Sequence, residues 1–419
     1  MLADMRKRIM DSIHYGEYFL HNTLVGLFSG IFCGLAGCAF LAVTNKSYAL
    51  STEFPWSIFF LPLAGLLIVF LYHRAGVYRD RGTNMILESV RTQEEIKLRS
   101  GILIFIATAL THLCGGSSGR EGACLQIGGS VGQTIGRLLH MDKDDIRMVT
   151  LCGMSGLFTA LLGTPLTATI FSMEVITVGV FYYNGFIPCL MSALVVYAMR
   201  NAFGFAPETF VIEGIPDFSF LPLLQTVVLG IGCALVSIIF CCILHAVAKF
   251  LQKRIPNAYL RIVVGGILII LLTLLVGNRD YNVTGFPLAH HALEGHANPE
   301  AFLLKMIFTA ITLGAGFKGG EIVPTFCVGA TFGNVFGSLL GLPAGFSASL
   351  GMIGLFCGVV NCPITSLLLS IEMFGAEGLI YYGIICGICY VLSGYYSLYS
   401  SQTILYSKIK HLYVNKKAE

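Results

Sequence analysis

The stretch Gly115-Gly-Ser-Ser-Gly-Arg-Glu-Gly-Ala-Cys-Leu-Gln126 places an arginine and a glutamate among glycines, between two apolar segments. A charged side chain at the centre of a bilayer costs roughly 3 kcal/mol or more. We therefore expect Arg120 and Glu121 to line a water-filled path or a bound ion rather than to face lipid. The alternative is an Arg-Glu pair in a surface loop between two membrane spans.

The composition predicts that this stretch lies within a membrane protein. Hydrophobic residues make up 55% of the 419 residues and charged residues 12%, and the mean hydropathy is +0.78. A typical soluble domain contains about 25% charged residues. At about 20 residues per crossing, the chain has room for ten or more spans and little for a soluble domain. The 48 glycines permit close helix packing and unwound backbone beside a cavity.

The fourteen cysteines lie mostly in apolar runs, where cysteine behaves as a small hydrophobic residue. Cys386 and Cys389 form a C-x-x-C pair, but no second pair or Cys/His cluster accompanies it in the sequence. Packing is therefore favoured over metal binding for this pair. We expect no disulfide framework, no bound metal and no cofactor.

Basic residues flank the apolar region at both ends, which by the positive-inside tendency predicts that both termini are cytoplasmic. The basic ends show no interleaved aromatic residues, so we do not expect a nucleic-acid partner. The expected location is the plasma membrane, crossed many times. The flanking basic residues are Lys7, Arg8, Lys408, Lys410, Lys416 and Lys417.

The two halves of the chain repeat. Residues 127–139 match residues 328–340 with every periodic glycine in register. A second pair of matching segments ends at Glu174 and Glu372, each nine residues after a proline. Chance similarity could imitate one such match, but two in the same order favour a duplication. We predict an all-α polytopic membrane protein of two inverted repeats, built from full and partly spanning helices, with the substrate near the interface of the repeats.

The predicted divisions are an N-terminal segment 1–20, a first repeat 21–203, a connector 204–218, a second repeat 219–405 and a C-terminal tail 406–419.

Three glycine-containing stretches are typical of helices that begin inside the protein. They are Gly82-Thr-Asn-Met-Ile-Leu87, Gly119-Arg-Glu-Gly-Ala123 and Gly319-Gly-Glu-Ile-Val-Pro-Thr-Phe326. A helix start offers unpaired N–H groups and the positive end of the peptide dipoles, so converging starts form a site for a small anion. Tyr399 is a candidate hydroxyl donor from the opposite side, and its alternative is an aromatic belt at the membrane surface.

Glu121 would occupy the place where that anion binds. A carboxylate that fills an anion site when ionised and leaves it when protonated couples proton binding to anion movement. The sequence therefore indicates a mechanism for antiport.

At these motifs the chain resembles the CLC family of chloride channels and proton-coupled anion antiporters. Gly119-Arg-Glu-Gly122 looks like the family's gating-glutamate motif, and Gly320-Glu-Ile-Val-Pro324 and Gly82-Thr-Asn-Met-Ile86 stand where two further family motifs stand. Tyr399 stands where the family has its central tyrosine. The resemblance covers about residues 20–405 and implies a homodimer in which each subunit carries its own pore.

The departures from the family pattern resemble its bacterial fluoride-exporting branch. Thr83 replaces the serine of the chloride proteins, Ile322 replaces a phenylalanine, and Glu321 adds a carboxylate. Val175 stands where proton-coupled chloride transporters usually carry an inner glutamate. That branch often has methionine at the serine position, so Asn84 or Met85 could take that role in place of Thr83.

Selecting fluoride over chloride requires donors close enough to replace water in a tight site. Phe326 or Phe317 could add a polarised ring edge, although an aromatic residue is more often packing. Glu321 has three interpretations: a carboxylate that tunes the proton step, a cation ligand, or a charge that complements a helix dipole. The candidate anion contacts are Gly82, Thr83, Asn84, Met85, Gly119, Arg120, Gly122, Gly320, Ile322, Val323, Phe326 and Tyr399.

Other charged residues have both a transport and a structural interpretation. Lys318 and Arg120 could attract anions, or could form salt bridges with Glu321 or Glu88. Glu174 and Glu372 are expected to cap or pin helices rather than to move ions.

The leading hypothesis is a fluoride/proton antiporter of a bacterial plasma membrane, with Glu121 as gate and proton carrier. The alternative is a chloride channel or chloride/proton antiporter of the same family. A membrane enzyme that uses Glu121 and Glu321 as acid and base is disfavoured, because the sequence shows no nucleophile-base arrangement, metal cluster or nucleotide loop. A structural or receptor-like membrane protein is a third class, for which Glu121 would have no transport role.

Overall fold

The computed structural model describes residues 2–78, 80–410 and 412–419, with side chains from Ser12 onward. In these residues eight α-helices and two 3₁₀ helices (Pro55–Phe60 and Tyr183–Gly185) precede the connector 204–218, and eight α-helices follow it. The first eight are α1 (Leu2–Glu53), α2 (Leu61–Arg74), α3 (Thr83–Thr92), α4 (Leu98–Leu113), α5 (Glu121–Leu138), α6 (Lys143–Leu162), α7 (Pro165–Glu174) and α8 (Phe186–Ala202). The second eight are α9 (Phe220–Arg254), α10 (Ala258–Val276), α11 (Phe286–Leu293), α12 (Ala301–Ala315), α13 (Ile322–Leu339), α14 (Ala344–Val360), α15 (Pro363–Phe374) and α16 (Leu379–Leu392).

The predicted mixture of full and partly spanning helices is confirmed. Seven helical segments of the described chain are long and apolar enough to cross a membrane, and five apolar helices are shorter. Helix α1 runs from Leu2 to Glu53, so residues 2–20 of the predicted N-terminal segment are helical; Met1 lies outside the described residues. The long segments are Ser12–Glu53, Pro55–Arg74, Lys143–Leu162, Tyr183–Ala202, Phe220–Arg254, Ala258–Val276 and Ile322–Leu339.

The periodic glycines of the repeat are the points where helix backbones touch. A Cβ on Gly128 of α5 would lie 2.2 Å from the carbonyl oxygen of Gly153 in α6. In the second half, a Cβ on Gly329 of α13 would lie 2.6 Å from the carbonyl oxygen of Gly351 in α14. Glycine therefore permits the same close helix crossing in both halves, and these four helices form the buried centre of the molecule.

Each half also caps a helix of the other half. The carboxylate of Glu174, at the end of α7, accepts hydrogen bonds from the backbone N–H groups of Ile364 (3.2 Å) and Thr365 (2.9 Å) at the start of α15. The carboxylate of Glu372 in α15 accepts from Leu166 (3.0 Å) and Thr167 (2.8 Å) at the start of α7. A carboxylate there satisfies unpaired N–H groups and complements the helix dipole. The capping role predicted for both glutamates is confirmed.

We expect the substitution Glu372→Gln to lower thermal stability, because the amide keeps one acceptor and turns its NH₂ group toward a backbone donor. A lost cap costs about 1–2 kcal/mol. Melting of the purified protein, followed by tryptophan fluorescence or light scattering, measures the effect. Glu377→Gln is the matched control, since Glu377 is exposed and follows the same helix. Equal melting temperatures for the two variants would contradict the assignment.

A small three-stranded sheet accompanies the helices and was not predicted. Its strands are β1 (Thr177–Val178), β2 (Thr403–Tyr406) and β3 (Tyr413–Lys417), with β1 parallel and β3 antiparallel to β2. The final residues return to the membrane domain, since the Ala418 N–H donates to the Gln402 carbonyl at 2.9 Å. The predicted tail 406–419 is therefore folded onto the segment that carries Tyr399; His411 lies outside the described residues.

Candidate functional site

The two glycine motifs of the repeat meet at the centre of the molecule. The Gly119 N–H donates to the Gly320 carbonyl at 2.6 Å, and the Gly320 N–H donates to the Gly119 carbonyl at 2.7 Å. A Cβ on Gly320 would lie 2.4 Å from the backbone nitrogen of Gly122. This bridge therefore requires glycine, and it brings together the starts of α5 and α13.

The start of α3 joins the same point. The Thr83 hydroxyl donates to the Gly122 carbonyl at 3.2 Å. A Cβ on Gly122 would lie 3.0 Å from the Cα of Gly320 and from Thr83 Oγ1, and 3.1 Å from Glu321 Oε2. Gly82, which precedes α3, has a φ of 59°, a conformation that favours glycine. Three helix starts thus converge at Gly122, and their dipoles favour negative charge there.

Glu121 is the first residue of α5 and is fully buried. Its Oε2 accepts from the Arg120 backbone N–H at 3.0 Å, and its Oε1 has no hydrogen-bond partner among the described residues. The Arg120 guanidinium lies 3.8 Å from Glu121 and 3.7 Å from Glu208, and also donates to Asn45. An exposed Arg-Glu pair in a surface loop is therefore the wrong interpretation of this motif.

Two cavities approach the Gly119–Gly320 bridge, and they share no lining residue. The larger, which we call the Glu321 cavity, has a volume of about 980 Å³; the smaller, which we call the Arg120 cavity, has a volume of about 350 Å³. Glu121 lines neither cavity, whereas its neighbour Arg120 lines the smaller one and Glu321 lines the larger. The Glu321 cavity is lined in part by Asp80, Asn84, Lys318, Glu321, Ser400 and Ser401, and the Arg120 cavity by Arg120, Glu208, His290, His291 and Val323.

An ion pair lies in the wall of the Glu321 cavity. The Lys318 ammonium is 2.7 Å from the Asp80 carboxylate and 4.7 Å from the centre of the Tyr72 ring. Burial raises the pKa of Asp80, but the charge and hydrogen bond of Lys318, together with a hydrogen bond from the Gly82 N–H, outweigh burial and hold that pKa below its ordinary value. The salt bridges expected for Lys318 and Arg120 with Glu321 or Glu88 are wrong. Glu88 instead pairs with Arg81.

Besides Glu121 Oε1 and Arg120 Nε, Glu321 Oε2 and the Tyr399 hydroxyl are buried at the site without hydrogen-bond partners within the described part of the chain. Asn84 connects the segment of Tyr399 to α3, because its side-chain oxygen accepts from the Ser401 N–H at 2.8 Å. The free Tyr399 hydroxyl can donate to an anion, whereas the Thr83 hydroxyl proton is already engaged by Gly122.

Some predicted contacts are engaged in packing. Met85 packs against the main hydrophobic core, and the Phe326 ring packs 5.3 Å from the ring of Phe356. Phe317 lies against Gly65 of α2, in a separate cluster. Ile322 and Val323 are buried at the start of α13, and Val323 also lines the Arg120 cavity.

A lysine that was not predicted braces the loop before Glu121. Lys305 of α12 is fully buried and donates to the Ser117 hydroxyl (3.0 Å) and to the carbonyls of Tyr281 and Val283 (both 3.1 Å). The Val283 carbonyl also accepts from the Ser118 N–H at 2.9 Å. The sequence does distinguish Lys305, because it is the single charged residue of an apolar segment. A lone charge inside a membrane segment usually has a functional or structural partner within the protein. No comparable signal marks Asp80.

Comparison with known proteins identifies the family of the chain. Residues 64–394 match the family described as voltage gated chloride channel. A chloride/fluoride channel protein of Pseudomonas syringae pv. tomato is 31% identical over 392 residues, covering 92% of this chain and 86% of that protein. The ClcB chloride channel of one Escherichia coli strain, described as voltage-gated, is 24% identical over 80% of this chain and 81% of its own length.

Solved structures show the same fold. The crystal structure of a CLC-type fluoride/proton antiporter superimposes with a TM-score of 0.88 and 27% identity, covering 92% of this chain and 98% of that one. A slow cyanobacterial Cl⁻/H⁺ antiporter superimposes with a TM-score of 0.72 and 18% identity, covering 90% and 94% of the two chains. With two repeats joined at paired glycines and a family match over most of its length, the chain belongs to the CLC, or voltage gated chloride channel, family.

Proposed function

We propose that this CLC family anion transporter exchanges fluoride for protons, with Glu121 as both gate and proton carrier. The observation that carries the proposal is the position of Glu121. Its carboxylate is fully buried at the convergence of three helix starts and has one oxygen without a hydrogen-bond partner among the described residues. It lies beside Arg120, which lines one cavity, while Glu321, which lines the other, approaches the adjacent Gly122.

The exchange follows from the charge of this carboxylate. An ionised Glu121 is attracted by the positive helix ends and excludes a second anion from them. A protonated Glu121 loses that attraction and can move aside, so an anion takes its place at the N–H groups around Gly122. The Glu121 carboxylate occupies the anion site again only after it has released its proton. Movement of one ion thereby depends on movement of the other.

Fluoride is the proposed substrate because it is a small anion and a strong hydrogen-bond acceptor. The site offers it the N–H groups at the converging starts of α3, α5 and α13 and the unpartnered Tyr399 hydroxyl. A Pseudomonas relative is described as a chloride/fluoride channel protein, and the solved structure at 27% identity is a fluoride/proton antiporter. Both descriptions support fluoride for this chain.

Glu321 is proposed as a second carboxylate in the proton step. It lines the larger cavity, its Oε2 has no partner in the described chain, and it approaches Gly122 next to Glu121. A proton from that cavity therefore meets Glu321 before it reaches Glu121. Its position just before α13 also fits a carboxylate that complements the helix dipole, and the cation-ligand interpretation stays a prediction.

The setting proposed for this activity is a homodimer in a bacterial plasma membrane, with both termini cytoplasmic and one pore per subunit. Its support is the family membership and the basic residues at both ends of the chain. The divisions of the chain proposed from sequence are kept, with the C-terminal residues 406–419 folded onto the second repeat.

The substrate is tested by halide flux through the purified protein in liposomes. We expect fluoride efflux to exceed chloride efflux by at least about tenfold, because chloride is too large to fit donors spaced for fluoride. Ion-selective electrodes for the two halides report the rates under equal gradients. Empty liposomes are the control, and faster chloride flux would assign the protein to chloride transport instead.

A further inference from the structure

A basic cavity lies beside the small sheet, away from the Gly119–Gly320 bridge. Its volume is about 390 Å³, within the range of small-molecule sites in proteins. Three cations line it: Arg91 from α3, and Lys416 and Lys417 from β3. Neither Asp nor Glu is among its lining residues, and none of the three cations forms an ion pair within the described part of the chain.

A buried hydroxyl without a partner lies in the wall of this cavity. Thr403 is 6% exposed, and its Oγ1 forms no hydrogen bond with any described residue. The register of the sheet pairs Thr403 with Thr177 on one side and with Lys417 on the other. A ligand that accepts a hydrogen bond from Thr403 would replace the bond to water that this hydroxyl loses on burial.

We propose that this basic cavity binds a phosphate group, supplied either by an anionic lipid headgroup or by a small soluble phosphate. Lys417 and the Arg91 guanidinium neutralise its charge, and the hydroxyls of Thr177 and Thr403 donate to its oxygens. Lys416 pairs with Ile404, so its side chain lies on the other face of the sheet. The site is separate from the anion pathway and takes a larger, multiply charged ligand.

The basic cavity is connected to the pathway through Arg91. Its guanidinium donates to the Ser401 carbonyl at 3.2 Å, and the Ser401 N–H donates to Asn84 Oδ1 at 2.8 Å. Ser401 and Asn84 both line the Glu321 cavity, and Tyr399 lies two residues before Ser401. A ligand that draws Arg91 toward itself therefore acts on the segment that positions the Tyr399 hydroxyl.

Binding is tested on the purified full-length protein with two probes. The first is inorganic phosphate, measured by thermal stabilisation in detergent against sodium chloride at equal ionic strength. The second is phosphatidylglycerol, measured by mass spectrometry as lipid retained after purification from mixed phosphatidylcholine and phosphatidylglycerol vesicles. Stabilisation by inorganic phosphate identifies a soluble source, and selective retention of phosphatidylglycerol identifies a lipid source.

The variant Lys417→Gln is expected to weaken binding of the responding probe about fivefold, since a cation that contacts the phosphate is lost. Lys417→Arg keeps the charge and should keep binding, which separates the effect of charge from an effect on folding. Lys249→Gln is the matched control, because Lys249 is exposed and lies outside the basic cavity. No response to either probe, or an equal loss in the matched control, would overturn the proposal.

Discussion

The substitution Glu121→Gln is expected to abolish proton pumping driven by a fluoride gradient. Glutamine keeps the size of the side chain but cannot bind or release a proton at this position, so anion movement no longer requires a proton. A pH-sensitive dye outside liposomes loaded with fluoride measures the effect. Wild-type protein should move protons against their gradient, and the variant should give the signal of empty liposomes.

Glu213→Gln is the control for this experiment, because Glu213 is exposed in the connector and the change in charge is the same. Fluoride flux through Glu121→Gln should be measured on the same sample, since flux without proton movement shows that the protein is folded. Proton pumping that survives in the Glu121 variant would remove this carboxylate from the mechanism.

The substitution Gly320→Ala is expected to reduce anion flux by at least about tenfold. The new methyl group would lie 2.4 Å from the Gly122 nitrogen, and backbone rather than a flexible side chain would have to move. Overpacking of this kind costs about 1–3 kcal/mol and would separate the paired glycines. Because the starts of α5 and α13 are held by that pair, the helix dipoles would no longer converge. Fluoride efflux from liposomes provides the measurement.

Gly387→Ala is the matched control for the bridge. Gly387 lies in α16, and a Cβ there meets no atom within 4 Å. Gly320→Ala should also melt at a lower temperature than Gly387→Ala, because the strain is stored in the folded state. Wild-type flux through Gly320→Ala would show that the bridge does not need its close backbone contact.

The helix starts and the repeat could be predicted because glycine, proline and charge interrupt apolar segments at fixed positions. The starts of α3 and α5, and a capping role for Glu174 and Glu372, follow from local sequence. The helices that the two glutamates cap do not, because those helices lie in the opposite half of the chain. The partner of Lys318 could not be predicted, since Asp80 is 238 residues away and only the fold brings the two together. The hydrogen bond from the Thr83 hydroxyl to the Gly122 carbonyl of α5 could not be predicted either, because it also joins residues that are distant in sequence.

The strands were missed for a different physical reason. β1 has two residues and lies at the end of an apolar run, so it shows no alternating pattern. β3 includes two lysines close to the C-terminus, and such a charged segment is typical of a solvent-exposed tail rather than of a strand. Pairing with β2 stabilises both, and that pairing is visible only in three dimensions.

The reciprocal glutamate caps bear on how the chain matures. Glu372, which accepts hydrogen bonds from the backbone N–H groups at the start of α7, is synthesised about two hundred residues after that helix. Until then these N–H groups lack their acceptor. The first half therefore enters the bilayer incomplete and is finished only when the second half arrives. If the two halves are expressed as separate fragments, each should fold only when the other is present in the same cell, because each half supplies the glutamate that caps a helix of the other.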